Sequence, residues 1–197
     1  MNLSRHRPPL DDQNFVHLET NLTKEKSIIN VVDEIKNTYT KFDALINCAG
    51  VPSIQKPNAI TYNELEDLMK VNTMAPIFLT SQLFDLIKEN EADIVNIGST
   101  QGLKQGRLNC CAYVTSKWAL RGTSQNLQLE LANTRCRVIQ FNVGGMNTKM
   151  HYKYNGEIIE NPDEWMQPKD VASLMLYLLR LPKQLEVGEI AINRKKL

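Results

Sequence analysis

Short apolar runs rich in β-branched residues alternate along the chain with longer stretches in which apolar side chains return every three or four positions. The first pattern suits buried strands and the second helices with one covered face; their regular alternation predicts a parallel α/β sheet. Strands are expected at Phe15 to Glu19, Ala44 to Cys48, Asp93 to Gly98, Arg137 to Val143 and Glu189 to Asn193. Continuous runs such as Ala44-Leu45-Ile46-Asn47 and Ile94-Val95-Asn96-Ile97 fit strands covered on both faces. Thr23 is expected to cap a helix reaching Tyr39, with Ile28, Val31, Val32 and Ile35 on one side. Thr61 with Glu64 three residues later has the form of a capping box, opening a long helix that Pro76 kinks and that ends near Asn90. Further helices are expected from Cys110 to Ala132, and from Pro168 to the stop at Pro182. No repeat or linker interrupts this order, so residues 1–197 read as one domain.

Composition narrows the function classes. With 197 residues, 42% of them hydrophobic, the chain can bury one sizeable core, which excludes disorder and coiled coil. Lys and Arg total 23 against 22 Asp and Glu, a formal net charge of +1, so no overall field attracts nucleic acid or an anionic membrane. The cysteines Cys48, Cys110, Cys111 and Cys136 form no C-x-x-C pair, and no His stands at metal-ligand spacing. Reduced thiols in the cytoplasm are the expectation, and no run approaches the ~18 apolar residues of a membrane span.

Candidate chemistry gathers at a few positions. Tyr113 and Lys117 are one helical turn apart near the start of the Cys110 helix, so they share a face. An ammonium there is expected to favour phenolate and lower the pKa of Tyr113, making it a useful proton donor or acceptor. The bland alternative is two amphipathic residues on a half-buried helix. Ser99 follows Ile94-Val95-Asn96-Ile97-Gly98 at the carboxyl end of a strand, where a parallel sheet forms its ligand crevice. Asn72, in Lys70-Val71-Asn72-Thr73, is either a solvated amide or, through a local helix distortion, a group that helps hold a water in the same crevice. Asn47-Cys48-Ala49-Gly50 closes another strand, with Gly50 suited to a turn or to close approach of a ligand.

Together these residues resemble the short-chain dehydrogenase/reductase family. The Asn-Asn-Ala-Gly motif of the family appears as Asn47-Cys48-Ala49-Gly50, and its four catalytic positions match Asn72, Ser99, Tyr113 and Lys117 in order and spacing. Asn142-Val143-Gly144 stands for its Asn-Pro-Gly segment, with Val143 in place of Pro, and Thr148 for the Thr that touches the nicotinamide carboxamide. The likeness continues through Gln167-Pro168-Lys169-Asp170-Val171-Ala172 to Gly188-Glu189-Ile190-Ala191-Ile192-Asn193. It implies a Rossmann-like doubly wound parallel sheet of strand order 3-2-1-4-5-6-7, interconverting a carbonyl and an alcohol in a small-molecule substrate. Tyr113 is then the general acid/base and Ser99 holds the substrate oxygen. Lys117 depresses the Tyr113 pKa and grips the ribose, while Asn72 supports a water-linked relay.

The family's opening strand, Thr-Gly-x-x-x-Gly-x-Gly turn and helix have no counterpart here. Asn2-Leu3-Ser4-Arg5 resembles the end of its second strand, so the chain is expected to start roughly 30 residues late and to lack the central strand. Ser4, Arg5 and Arg7 stand where relatives that prefer NAD carry an acid, which favours NADP over NAD. Asn21 and Leu22 lie where relatives contact adenine, and Ala49, Gly144 and Met146 complete the expected cofactor contacts. Met150 to Glu164, where relatives carry a substrate lid, holds His151, Tyr152 and Tyr154 with Trp165 nearby, and reads equally as a pocket lining or as an exposed loop with incidental aromatics. Relatives also pair the helices equivalent to Asn63 to Asn90 and Cys110 to Ala132 as homodimers or homotetramers, with Trp118, Leu120, Leu127 and Leu131 as apolar candidates here. Two rival readings are an interaction or scaffold protein that kept the sheet and lost the cofactor site, and an extended epimerase or dehydratase. The roughly fifty residues after Thr148 leave the latter little room for a substrate domain.

Overall fold

The computed structural model of the chain describes residues 1–103, 107–150 and 162–195. Its regular elements run β1 (Asn2–Ser4), β2 (His17–Glu19), α1 (Glu25–Thr38), β3 (Ala44–Asn47), α2 (Tyr62–Met69), α3 (Ala75–Gln82), α4 (Phe84–Glu89), β4 (Asp93–Ser99), α5 (Cys111–Glu130), β5 (Val138–Val143), α6 (Pro168–Leu179) and β6 (Glu189–Ile192). Every strand pair is parallel. The Rossmann-like α/β architecture is as expected, but the ladder is divided: β1 and β2 pair with each other, β3-β4-β5-β6 form a second sheet, and no described strand joins the two. Leu3 and Leu18 nonetheless pack on the same apolar cluster as Leu45 and Ile94.

Alternation along the strands builds three layers. Ile94 and Val138 point to the side of α1, α3 and α4, burying Ile28, Val32, Ile35, Leu79 and Ile87. Val95, Ile139 and Phe141 point the other way, onto Leu178 of α6. That second cover does not extend to β3, where Ile46 is 39% exposed. Two helix boundaries depart from the sequence reading. The cap of α1 is Lys24, with no side-chain bond. The Asn21 amide oxygen takes Thr23 instead, accepting from its N–H at 3.0 Å and from its hydroxyl at 2.8 Å, because an Asn side chain closes a turn two residues on. The capping box at Thr61 is present, yet the long helix is segmented into α2, a π-helical turn over Lys70–Met74, α3 and α4. Pro76 has no N–H to close an α turn onto the Asn72 carbonyl, which accounts for the widening there.

On the α5 side of the sheet a row of polar side chains crosses all four strands. Asn47, Asn96, Gln140 and Glu189 are register partners on β3, β4, β5 and β6. Asn47 Nδ2 donates to Asn96 Oδ1 at 2.8 Å, and Asn96 Nδ2 to Ser124 Oγ of α5 at 2.8 Å. Ser124 donates to Gln140 Oε1 at 2.6 Å, Gln140 Nε2 to Asn142 Oδ1 at 2.8 Å, and Asn142 Nδ2 to Glu189 Oε1 at 2.9 Å. Arg121 of α5 closes the row with two bonds to the Glu189 carboxylate, at 2.7 and 2.9 Å. Burial without these bonds would leave each amide desolvated and unpaired, so register and α5 position are set together.

Gly98 makes room for the row, since a Cβ there would be driven into Gln140 Nε2 and Asn142 Oδ1. Gly98→Ala is therefore expected to destabilise the fold by about 1–3 kcal/mol or more in urea denaturation. Gly122→Ala, on an open stretch of α5 where a Cβ meets nothing within 4 Å, is expected to stabilise it by about 0.5–1 kcal/mol.

Candidate active site

The carboxyl ends of β3, β4 and β5 open into a cavity of about 410 Å³. Ser99, Tyr113 and Lys117 all line it, so the three residues singled out from sequence do meet. Ser99 ends β4, and its hydroxyl accepts the N–H of Gln101 at 3.2 Å, turning the chain into a short helical turn over Thr100–Gly102. A Cβ on Gly102 would press on the backbone of Lys117, so this turn lies directly against α5. That approach brings the Ser99 hydroxyl near enough to Tyr113 to act on the acidity of its phenol. Lys117, 5% exposed, stands with its ammonium 5.9 Å from the Tyr113 ring centroid and donates to Ile97 O at 2.9 Å.

The electrostatics correct one expectation. Burial pushes the Tyr113 phenol above its ordinary value, the Ser99 hydroxyl offsets part of this, and Cys110 adds to the rise. The Lys117 ammonium, 5.9 Å from the ring centroid, does not reverse this rise, because burial is the larger influence. Tyr113 is thus a neutral phenol at neutral pH, able to donate a proton. Burial also brings Lys117 down to about 8, with Cys48 opposing.

Asn72 is brought beside this group but is fully buried, and its amide is committed. Its Oδ1 accepts Val51 N–H at 2.8 Å, and its Nδ2 donates to Val51 O at 2.9 Å and Ser116 Oγ at 3.1 Å. The side chain therefore clamps the loop after β3 onto α5 and does not turn to the cavity. Pro76, four residues on, offers the Asn72 carbonyl no α-helical N–H.

The expected cofactor residues divide. Gly50, Gly144, Met146 and Thr148 line the cavity with Tyr113 and Lys117. Asn47 does not, because its amide serves Asn96 and Thr80 within the sheet. Ala49 is exposed and outside the lining, Leu22 packs on the core, and the Asn21 amide oxygen already serves Thr23. Ser4 bonds Asn2 and the His6 carbonyl; Arg5 is exposed, and Arg7 lies over the Phe15 ring at 5.8 Å. Trp165 is in the cavity wall, with Arg194 stacked over its ring at 4.3 Å. His151, Tyr152 and Tyr154 lie outside the described residues. Sequence reasoning missed Gln101 and Arg107, both in the lining, since neither belongs to a motif. Leu120 and Leu131, offered as interface residues, are 1% and 2% exposed inside this chain's own core, whereas Trp118 is 45% exposed.

A nicotinamide nucleotide fits this site in part. Lys117 uses one of its three N–H groups on Ile97 O, leaving two to meet ribose hydroxyls, and Ile97, Val143 and Met146 offer an apolar wall for a flat ring. No glycine-rich turn among the described residues offers a seat for the diphosphate.

Residues 6–158, most of the chain, match the pattern of the short chain dehydrogenases. The chain belongs to that family. An uncharacterized oxidoreductase of Staphylococcus aureus is 25% identical over 175 residues, covering 88% of this chain and 74% of the relative. The closed form of a serine dehydrogenase complexed with NADP+ superposes with a TM-score of 0.81 at 19% identity, covering 92% and 76%. A 4-hydroxyisoleucine dehydrogenase complexed with NADH gives 0.76 at 25% identity, covering 89% and 78%.

The buried ammonium has a measurable consequence. The folded chain loses the Lys117 proton near pH 8 while the unfolded chain holds it to about 10.5, so this group's penalty is complete below 8 and fades as pH rises. Lys117→Met is expected to be more stable than wild type at pH 7, by on the order of 1–3 kcal/mol, with the gap closing between pH 8 and 10.5 in urea titrations.

Proposed function

We propose that this short-chain dehydrogenase interconverts a carbonyl and an alcohol in a small molecule, with NADP(H) as the hydride carrier. The observation that supports it most is that Ser99, Tyr113 and the buried ammonium of Lys117 line one cavity at the carboxyl ends of the strands. Ser99 holds the substrate oxygen, and Tyr113, as a neutral phenol, donates its proton to that oxygen during reduction. Lys117 offers N–H groups to the ribose and replaces the proton through its neighbours. The Asn72 carbonyl and a water extend the relay to solvent. The bound nicotinamide supplies the hydride.

Gly50, Gly144, Met146 and Thr148 hold the nicotinamide end. Ser4 and the exposed Arg5, at the end of β1, select the 2′-phosphate. The substrate surface is placed on Thr100, Gln101 and Trp165. Exposed Met74, Ile77 and Trp118 on the face of the π turn, α3 and α5 serve association into a homodimer or homotetramer.

Tyr113→Phe is expected to lower kcat for carbonyl-dependent NADPH oxidation by about 10²-fold or more, while NADPH Kd changes less than about twofold. An unchanged rate, or no rate in wild type across aldehydes and ketones, removes the catalytic reading. Arg5→Glu is expected to weaken NADPH by about tenfold in fluorescence titration and leave NADH unaffected.

A further inference from the structure

The charged groups among the described residues of the cavity wall are Lys117 and Arg107, and no described Asp or Glu joins them. Among the described residues the wall thus carries two cations and no acid, a positive field focused by the apolar walls that Ile54, Val143 and Trp165 supply. Lys117 is placed at the ribose end by its bond to Ile97 O, beside Gly50 and the Tyr113 ring. Arg107 belongs to the segment between Ser99 and Tyr113 in the chain and lines the same cavity as those two hydroxyls. Its guanidinium has no carboxylate partner among the described residues, unlike Arg121 and Arg137, which are paired with Glu189 and Asp93. Its electrostatic influence reaches Cys110, the residue that opens α5 and another part of the same wall.

A second observation concerns the same cavity wall. Gln101, also in the wall, has a side-chain Oε1 shielded from water and without a hydrogen-bond partner. A shielded amide oxygen lacking a donor is costly, and its ends exchange by a half turn, so the same group can present N–H to an incoming oxygen. A planar guanidinium and an amide in one wall are suited to a carboxylate, which accepts two parallel N–H bonds and a third from the side.

We infer that the substrate is a keto acid or hydroxy acid, its carboxylate bound by Arg107 with the Gln101 amide beside it while its carbonyl or hydroxyl meets Ser99 and Tyr113. This rests on reading the cavity as a site for a carbonyl or alcohol. Arg107 then sets specificity and takes no part in the chemical step. A cavity of about 410 Å³ is at the small end of ligand sites, which restricts the acid to a short skeleton.

The test uses acetoacetate, levulinate and 5-oxohexanoate, each with its methyl ester, so that the spacing between carbonyl and carboxylate is sampled while the charge is switched. Binding to wild type, Arg107→Gln and Arg107→Lys is measured by isothermal titration calorimetry, with and without NADPH; turnover is measured separately. Arg107 is exposed, so the variants are expected to keep the wild-type Tm. Wild type is expected to bind one of the acids at least tenfold more tightly than its ester. Arg107→Gln brings that ratio to about one with the ester unchanged, and Arg107→Lys retains part of it. A ratio near one in wild type for all three pairs, or a ratio surviving in Arg107→Gln, overturns the inference. Acid-selective binding through Arg107 without turnover of any carbonyl would leave the carboxylate site standing and remove the catalytic reading. Equal turnover of acid and ester in both proteins would do the reverse.

Discussion

The site depends on the polar row that crosses β3 to β6. A parallel sheet covered by helices is ordinarily apolar on both faces, and four amide or carboxylate side chains in register are tolerated only because each meets a partner. Two of the contacts come from α5, at Ser124 and Arg121. The helix therefore cannot slide along the sheet without breaking several bonds at once, and the same helix carries Tyr113 and Lys117 about two turns nearer its start. Catalytic geometry at the cavity is inherited from hydrogen bonding well below it.

A second set of contacts brings the remaining walls in. The π turn swings Asn72 and Thr73 inward, where Thr73 donates to Ser116 O at 3.2 Å and Asn72 clamps Val51. Gln55 N–H donates to the carbonyl of Asn109, whose own φ of 62° lies in the left-handed region an Asn tolerates. The loop after β3 is thus fastened to both ends of the segment that presents Tyr113. None of the fastening residues needs to touch a substrate to affect the reaction, since a shift of an ångström at Ser99 or Tyr113 alters proton transfer.

The layered fold was legible because period-two and period-3.6 patterns do not overlap in this chain: Ile94 to Ile97 and Ile28 to Ile35 each admit one reading. The meeting of Ser99, Tyr113 and Lys117 was legible from spacing combined with strand ends. What escaped was the choice each polar group makes among competing partners. Asn47 reads as a ligand contact by its motif, yet its register partner is another amide, and buried amides pair before they bind anything else. Thr23 reads as the cap of α1, yet Asn21 closes a turn onto it and the cap falls on Lys24, because both side chains can close a turn. The expected depression of the Tyr113 pKa failed for a reason invisible in one dimension: the same burial that brings Lys117 close also strips both groups of solvent.

The division of the ladder leaves β3 as the outer strand of the larger sheet, with Ile46 half in the open beside it. Neither Pro nor Lys interrupts Ala44–Asn47, so nothing in that strand discourages backbone pairing with another extended segment. Along that border the N–H and C=O groups of Ala44–Asn47 that face away from β4 meet no strand partner among the described residues.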